Sequence, residues 1–131
     1  MHAPLLSTRR LVVANSALIT ASHIRYLLVL RKLDKDANGI RSVDVANELG
    51  FAKSSIHDML NVLMRLNLVK KELRGHIFFT ELGYKTAQTY ERYYYIIKER
   101  LFDREYNDTC IDNAICAMLA EIPEQCLDEL I

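Results

Sequence analysis

Residues 43–68, VDVANELGFAKSSIHDMLNVLMRLNL, limit the chain to few folds, because they hold two amphipathic helices separated by a break that leaves room only for a tight corner. Val45, Ala46 and Leu49 recur at helical spacing. Ser42 stands where a cap is wanted, and Asp44 falls in the first turn, where a carboxylate suits the helix dipole. Gly50 ends the first helix and Phe51 and Ala52 make an apolar corner. From Ser54 onward Ile56, Met59, Leu60, Leu63 and Leu66 share one face of a second helix, leaving Lys53, Ser54, Ser55, His57, Asn61 and Arg65 on the outside. Two helices joined by about three or four residues that include Gly have the spacing of a helix-turn-helix, whose second helix enters the major groove of DNA. A plain helical hairpin has the same spacing, so the choice needs the flanking sequence.

The following segment supplies it. LVKKELRGHIFFT, Leu68 to Thr80, has strand-forming residues at both ends and a polar tip, Leu73-Arg74-Gly75-His76, which predicts a two-stranded hairpin turning at Gly75. A basic hairpin directly after a helix-turn-helix is a wing, with Lys70, Lys71, Arg74 and His76 placed to meet phosphates or the minor groove.

Before the motif, a helix is predicted from about Ser16, its stripe Ile19, Ile24, Leu27, Leu30 and Leu33 packing behind the helix-turn-helix. After the wing, Thr80-Glu81-Leu82-Gly83 opens a long tyrosine-rich helix to about Leu101, with Leu82, Tyr90, Tyr94, Ile97 and Leu101 near one face. A further helix over 109–120 buries Ile111, Ile115, Met118 and Leu119, and Pro123 starts a short last helix holding Cys126, Leu127 and Leu130. The expected fold is mainly α with a small β wing: a winged helix-turn-helix domain with an N-terminal extension over 1–80, then a helical dimerisation region over 81–131. Tyrosines at helical spacing favour core or subunit contact over a ligand box. Tyr90, Tyr94, Ile111, Ile115 and Met118 are therefore the expected dimer interface.

Zero formal net charge over 131 residues, taken alone, argues against a nucleic-acid partner, but the average hides a split. Through Phe78 there are twelve basic and six acidic residues, and beyond it five basic and eleven acidic, so halves of about +6 and −6 cancel. Cys110, Cys116 and Cys126 are an odd number without tight pairing, which suits a reducing cytoplasm and buried structural thiols. RRLVVANSALITAS, residues 9–22, has a faint look of a secretory signal, but Asn15 and Ser16 interrupt it, and His23 and Arg25 spoil the run as a membrane span. The four histidines are scattered and no phosphate loop or nucleophile motif is present, so no enzyme is expected.

From Ile40 to Ala87 the text resembles the metal-dependent repressors of the diphtheria-toxin-repressor and manganese-transport-regulator family: the helix-turn-helix, the short Gly-tipped wing, and the step Phe79-Thr80-Glu81-Leu82-Gly83 into the next helix. That resemblance implies a homodimer on a palindromic operator and manganese or iron as regulatory metal. The positions that would hold the metal carry Arg25, Leu28, Tyr94, Asn113, Cys116 and Ala117, of which only Cys116 offers a ligand atom, so the resemblance carries fold and DNA binding without the switch. A displaced site would draw on His23, Cys110, Asp112 or Cys116.

The expected function is a homodimeric DNA-binding regulator, most simply a repressor, with no metal among its needs. Ser54 and Ser55 are expected on phosphates and Lys53 and His57 on base edges, while Arg41, Lys70, Lys71, Arg74 and His76 supply sequence-independent affinity. Two alternatives remain at this stage. One is a small-molecule-responsive regulator of the multiple-antibiotic-resistance type, although the Asp-x-Arg expected before the wing tip is absent. The other is a winged-helix module that binds protein instead of DNA.

Overall fold

The computed structural model describes residues 19–35, 38–102, 108–123, 126–127 and 129. The helix expected from about Ser16 begins instead at Ala21, with Thr20 extended as its cap, while Ser16 itself, the segment before it and Leu130 of the last helix lie outside the described residues. Among the described residues five longer α-helices and one hairpin follow in chain order: α1 (Ala21–Leu33), α2 (Ser42–Leu49), α3 (Lys53–Arg65), β1 (Val69–Lys71), β2 (Ile77–Phe79), α4 (Glu81–Leu101) and α5 (Thr109–Glu121). Cys126 and Leu127 are also helical. The expected fold, mainly helical with a small β wing, is the observed one.

Helix α1 is the common support. It packs against α5, α4 and α2, and Ile24, Leu27 and Leu30 are fully buried, joined by Tyr26 and Val29. Burial on so wide an arc follows from having neighbours on several sides, which an apolar stripe alone does not announce. Thr20 closes the N-terminus with a capping box: its hydroxyl accepts from the His23 N–H at 3.2 Å, and its own N–H donates to His23 Nδ1 at 3.1 Å. Burial holds the His23 imidazole pKa below its ordinary 6.5.

Helix α2 begins one residue earlier in its capping than the sequence indicates. Arg41, not Ser42, occupies the cap position, and no side chain closes the helix end; Ser42 is already helical. The reason lies in Ile40, which is drawn into a β-bridge with Ile77 (N–H···O distances of 2.8 and 2.7 Å) and so sets where the extended chain stops. The wing is thereby a hairpin with a one-residue third rung, its register Val69↔Phe79, Lys70↔Phe78 and Lys71↔Ile77. Gly39, at φ +88°, permits this approach: a Cβ there would meet the Phe78 ring at 2.7 Å.

The seam between the wing and α4 is fixed by backbone. Thr80 donates its hydroxyl to the Asn67 carbonyl at 2.7 Å and accepts from the Gly83 N–H at 2.9 Å, capping α4. A side chain on Gly83 would run into the Leu68 carbonyl, so the step Thr80-Glu81-Leu82-Gly83 is a demand of close packing. Helix α4 buries Gly83, Thr86, Ala87, Tyr90, Tyr93 and Ile97. The expected face is thus rotated: Tyr93 is buried at 4% exposure, Tyr94 is only half-buried, and Leu101, at the helix end, is 63% exposed. Among the cysteines Cys116 is buried, as expected, whereas Cys110 and Cys126 are exposed.

Candidate nucleic-acid interface

Gly50 adopts the left-handed conformation (φ 71°, ψ 26°) and returns its N–H to the Ala46 carbonyl, ending α2; Phe51 and Ala52 then turn the chain into α3. Ile56, Leu60 and Leu63 bury the inner side of α3, while Met59 and Leu66 pack at its margin. The stop is an αL residue again, Asn67 at φ 62°, with the Leu68 N–H reaching back to the Leu63 carbonyl at 3.0 Å. This locks the orientation of α3 at both ends.

The outer face of α3 is open. Lys53, Ser54, Ser55, His57, Asp58 and Arg65 are exposed. No side chain caps the N-terminus of α3, whose cap residue is Ala52, so its first-turn N–H groups have no side-chain acceptor. Such an end, carrying Lys53, Ser54 and Ser55, is suited to a phosphate oxygen. His57 is not isolated: its Nε2 lies 3.2 Å from Asn61 Nδ2 one turn on, so the two form an amide–imidazole pair on the exposed face. The spacing of four residues was the available signal that Asn61 belongs with His57.

The basic residues divide by what they already touch. Lys53, Lys71 and Arg74 are exposed and have no carboxylate within 4.0 Å among the described residues. Arg74 sits at the wing tip at φ 70°, where the turn is closed by the Gly75 N–H on the Glu72 carbonyl at 2.9 Å. Arg41 is partly neutralised by Asp44, whose two oxygens lie 3.3 Å from its Nε and Nη2, and Lys70 stands 3.9 Å from Glu72. His76, half-buried, has its Nδ1 2.6 Å from the Asn38 carbonyl oxygen and fastens the tip end of the wing to the loop before Ile40. Phe51 is 50% exposed at the corner of the motif, beside Tyr26 at a ring separation of 6.4 Å.

A different chemistry governs the positions where the resemblance would put a metal. Arg25 Nη1 approaches Asp112 Oδ2 at 3.6 Å, and the Tyr94 hydroxyl donates to the other oxygen of the same carboxylate. Burial, and then that bond, hold the Tyr94 hydroxyl pKa well above its ordinary value. Burial pushes the Cys116 thiol up to about 11, so it stays protonated, a poor state for ligating a cation. Leu28 contributes hydrocarbon, and Asn113 and Ala117 are exposed on α5. Of the displaced candidates, His23 is occupied in its capping box, and no three His, Cys, Asp or Glu side chains come together as a metal cluster among the described residues. These residues do not fit a manganese or iron centre.

Of the five residues assigned to a subunit contact, Tyr90 and Ile115 lie inside the core of the single chain, at 7% and 0% exposure. Tyr94, Ile111 and Met118 are partly exposed at its edge. No helix among the described residues is long and apolar enough to cross a membrane.

Residues 24–73 match the family model of the IclR helix-turn-helix domain. The match runs from α1 through α2 and α3 to the wing tip, less than half of the chain, and makes this a DNA-binding domain of a transcriptional regulator. It overturns the resemblance to the diphtheria-toxin-repressor and manganese-transport-regulator family, a different group of regulators. The residues that carried that resemblance, Gly50, Gly75, Thr80 and Gly83, serve the corner, the wing turn, a helix cap and a close backbone approach, which are needs of winged-helix geometry and not marks of one family. A comparison with curated proteins found no match.

Proposed function

We propose that the chain acts as a homodimer, laying α3 in the major groove of a palindromic operator and holding flanking phosphates with the wing. The observation that carries this reading is the outer face of α3: exposed at Lys53, Ser54, Ser55, His57 and Asp58, uncapped at its N-terminus and set by αL turns at both ends. In this reading Ser54 and Ser55 contact phosphates, and Lys53 and the His57–Asn61 pair reach base edges. Lys71 and Arg74, with no carboxylate within 4.0 Å among the described residues, supply most of the sequence-independent attraction; Lys70 and Arg41, already paired, supply less. His76 works indirectly by holding the wing to Asn38. The dimer would use the surface left on Ile111 and Met118, extended by Leu101, which is 63% exposed.

Operator selection from random duplexes, followed by anisotropy titrations, tests the reading. Replacing His57 with Ala should cost about 1–3 kcal/mol at particular base pairs and little on random DNA. Equal loss on both would reduce His57 to a phosphate contact. Sedimentation of the free protein tests the dimer. A monomer that occupies a single half-site would remove it, and failure to bind any duplex at moderate salt would leave the protein-binding alternative.

A further inference from the structure

A second polar site lies away from the DNA-facing surface. Helices α1, α4 and α5 enclose a cleft of about 590 Å³, with Glu48 of α2 closing one side. Its volume falls in the range of small-molecule sites. Leu28 and Val29 of α1 give it an apolar wall, and Tyr94 and Tyr95 of α4 add two rings packed edge to face, 5.1 Å between centroids.

The charges in this cleft are almost fully matched. Arg25 answers Asp112 at 3.6 Å, Lys32 answers Glu48 at 2.5 Å, and Glu91 is held by Arg31 at 3.1 Å. Lys98 is the exception: it lies 5.6 Å over the Tyr94 ring and has no carboxylate within 4.0 Å among the described residues. The lining itself balances, Arg25, Lys32 and Lys98 against Glu48, Glu91 and Asp112, but Arg31 from outside the lining holds Glu91, which leaves Lys98 without a partner among the described residues and able to take one negative charge. The neighbouring rings and aliphatic wall select a flat apolar body attached to it.

We propose that this cleft binds a small organic monoanion, an aromatic or similarly flat carboxylate, with its charge on Lys98 and its body against Tyr95 and Leu28. Its role as an effector rests on the regulator reading above: Glu48 belongs to α2, so an occupant beside the Lys32–Glu48 pair touches the helix-turn-helix. Binding itself is measured without DNA, so failure of the site and failure of DNA binding are separate results.

The test is a titration of the full chain, ring-labelled at tyrosine, with benzoate as probe. Benzamide serves as the uncharged isostere and inorganic phosphate as the charge without a ring. Benzoate should shift the Tyr94 and Tyr95 resonances saturably at millimolar concentration, with benzamide and phosphate each at least about tenfold weaker. Lys98→Gln should weaken benzoate at least about tenfold, while Lys98→Arg, which keeps the charge, retains it. Absence of saturation, equal binding by phosphate or benzamide, undiminished binding by Lys98→Gln in a chain with native circular dichroism, or loss of binding in Lys98→Arg would overturn the proposal.

Discussion

On the outer face of α3 and on the wing, Lys53, Lys71 and Arg74 stand in water without a carboxylate among the described residues, while in the cleft between α1, α4 and α5 the cations Arg25 and Lys32 each have one within 4 Å. The same residue types therefore do different work. Unpaired exposed cations can neutralise phosphates and release the counterions condensed on DNA, which is where much of the binding free energy comes from. Paired ones contribute little to association and instead fix how helices meet, Lys32 joining α1 to α2 and Arg25 joining α1 to α5. Formal charge summed along the chain misses this division, because it counts both kinds alike.

Four measurements test that contrast. Both regions lean on α1, so Leu27→Ala, at a fully buried position, should cost about 2–5 kcal/mol in urea unfolding and melt the two together. If tyrosine signals from α4 survive while the helix-turn-helix unfolds, the regions are independent units and the shared-support account fails. Gly83→Ala attacks the seam itself. With the Leu68 carbonyl in the way, a loss of about 1–3 kcal/mol is expected, and a stability change near zero would show that the seam gives freely.

Next come the cations. Lys71→Ala, and Arg74→Gly, which suits the positive φ at the tip, should each make the salt dependence of DNA binding shallower by about 0.9 in log–log slope, whereas Lys32→Ala should leave the slope alone. A slope unchanged by both wing substitutions would take the wing off the phosphates. The smallest effect concerns α1. The folded His23 pKa lies below 6.5, so its contribution is present above that pH and is lost as pH falls through the folded value and the ring gains a proton. Melting temperature should drop on acidification below about pH 6.5, and His23→Gln, which keeps an acceptor for the Thr20 N–H, should flatten that part of the drop. An identical profile in the variant would assign the acid sensitivity elsewhere.

The two helices of the motif, the corner between them, the wing and the long helix after it were legible in the amino-acid sequence alone. Each of these is local: apolar spacing at 3.6 or 2 residues, a Gly or Asn able to take positive φ, and a Thr able to cap act over a few neighbouring positions. What the sequence could not order was everything that depends on a distant partner. Ile40 joins the sheet only because Ile77 is there, and that pairing shifts the cap of α2 from Ser42 to Arg41. Which tyrosine of α4 turns inward depends on where α1 and α5 lie, and neighbouring residues on a helix differ by about 100°, enough to bury Tyr93 and leave Tyr94 at the rim of the cleft. Arg25, Tyr94 and Asp112 stand far apart along the chain, so only the tertiary structure could join them and leave Lys98 as the unmatched cation beside them. Family likeness failed for the related reason that glycines and caps record the needs of a shared geometry, and the match over residues 24–73 falls to a different family of regulators that shares it.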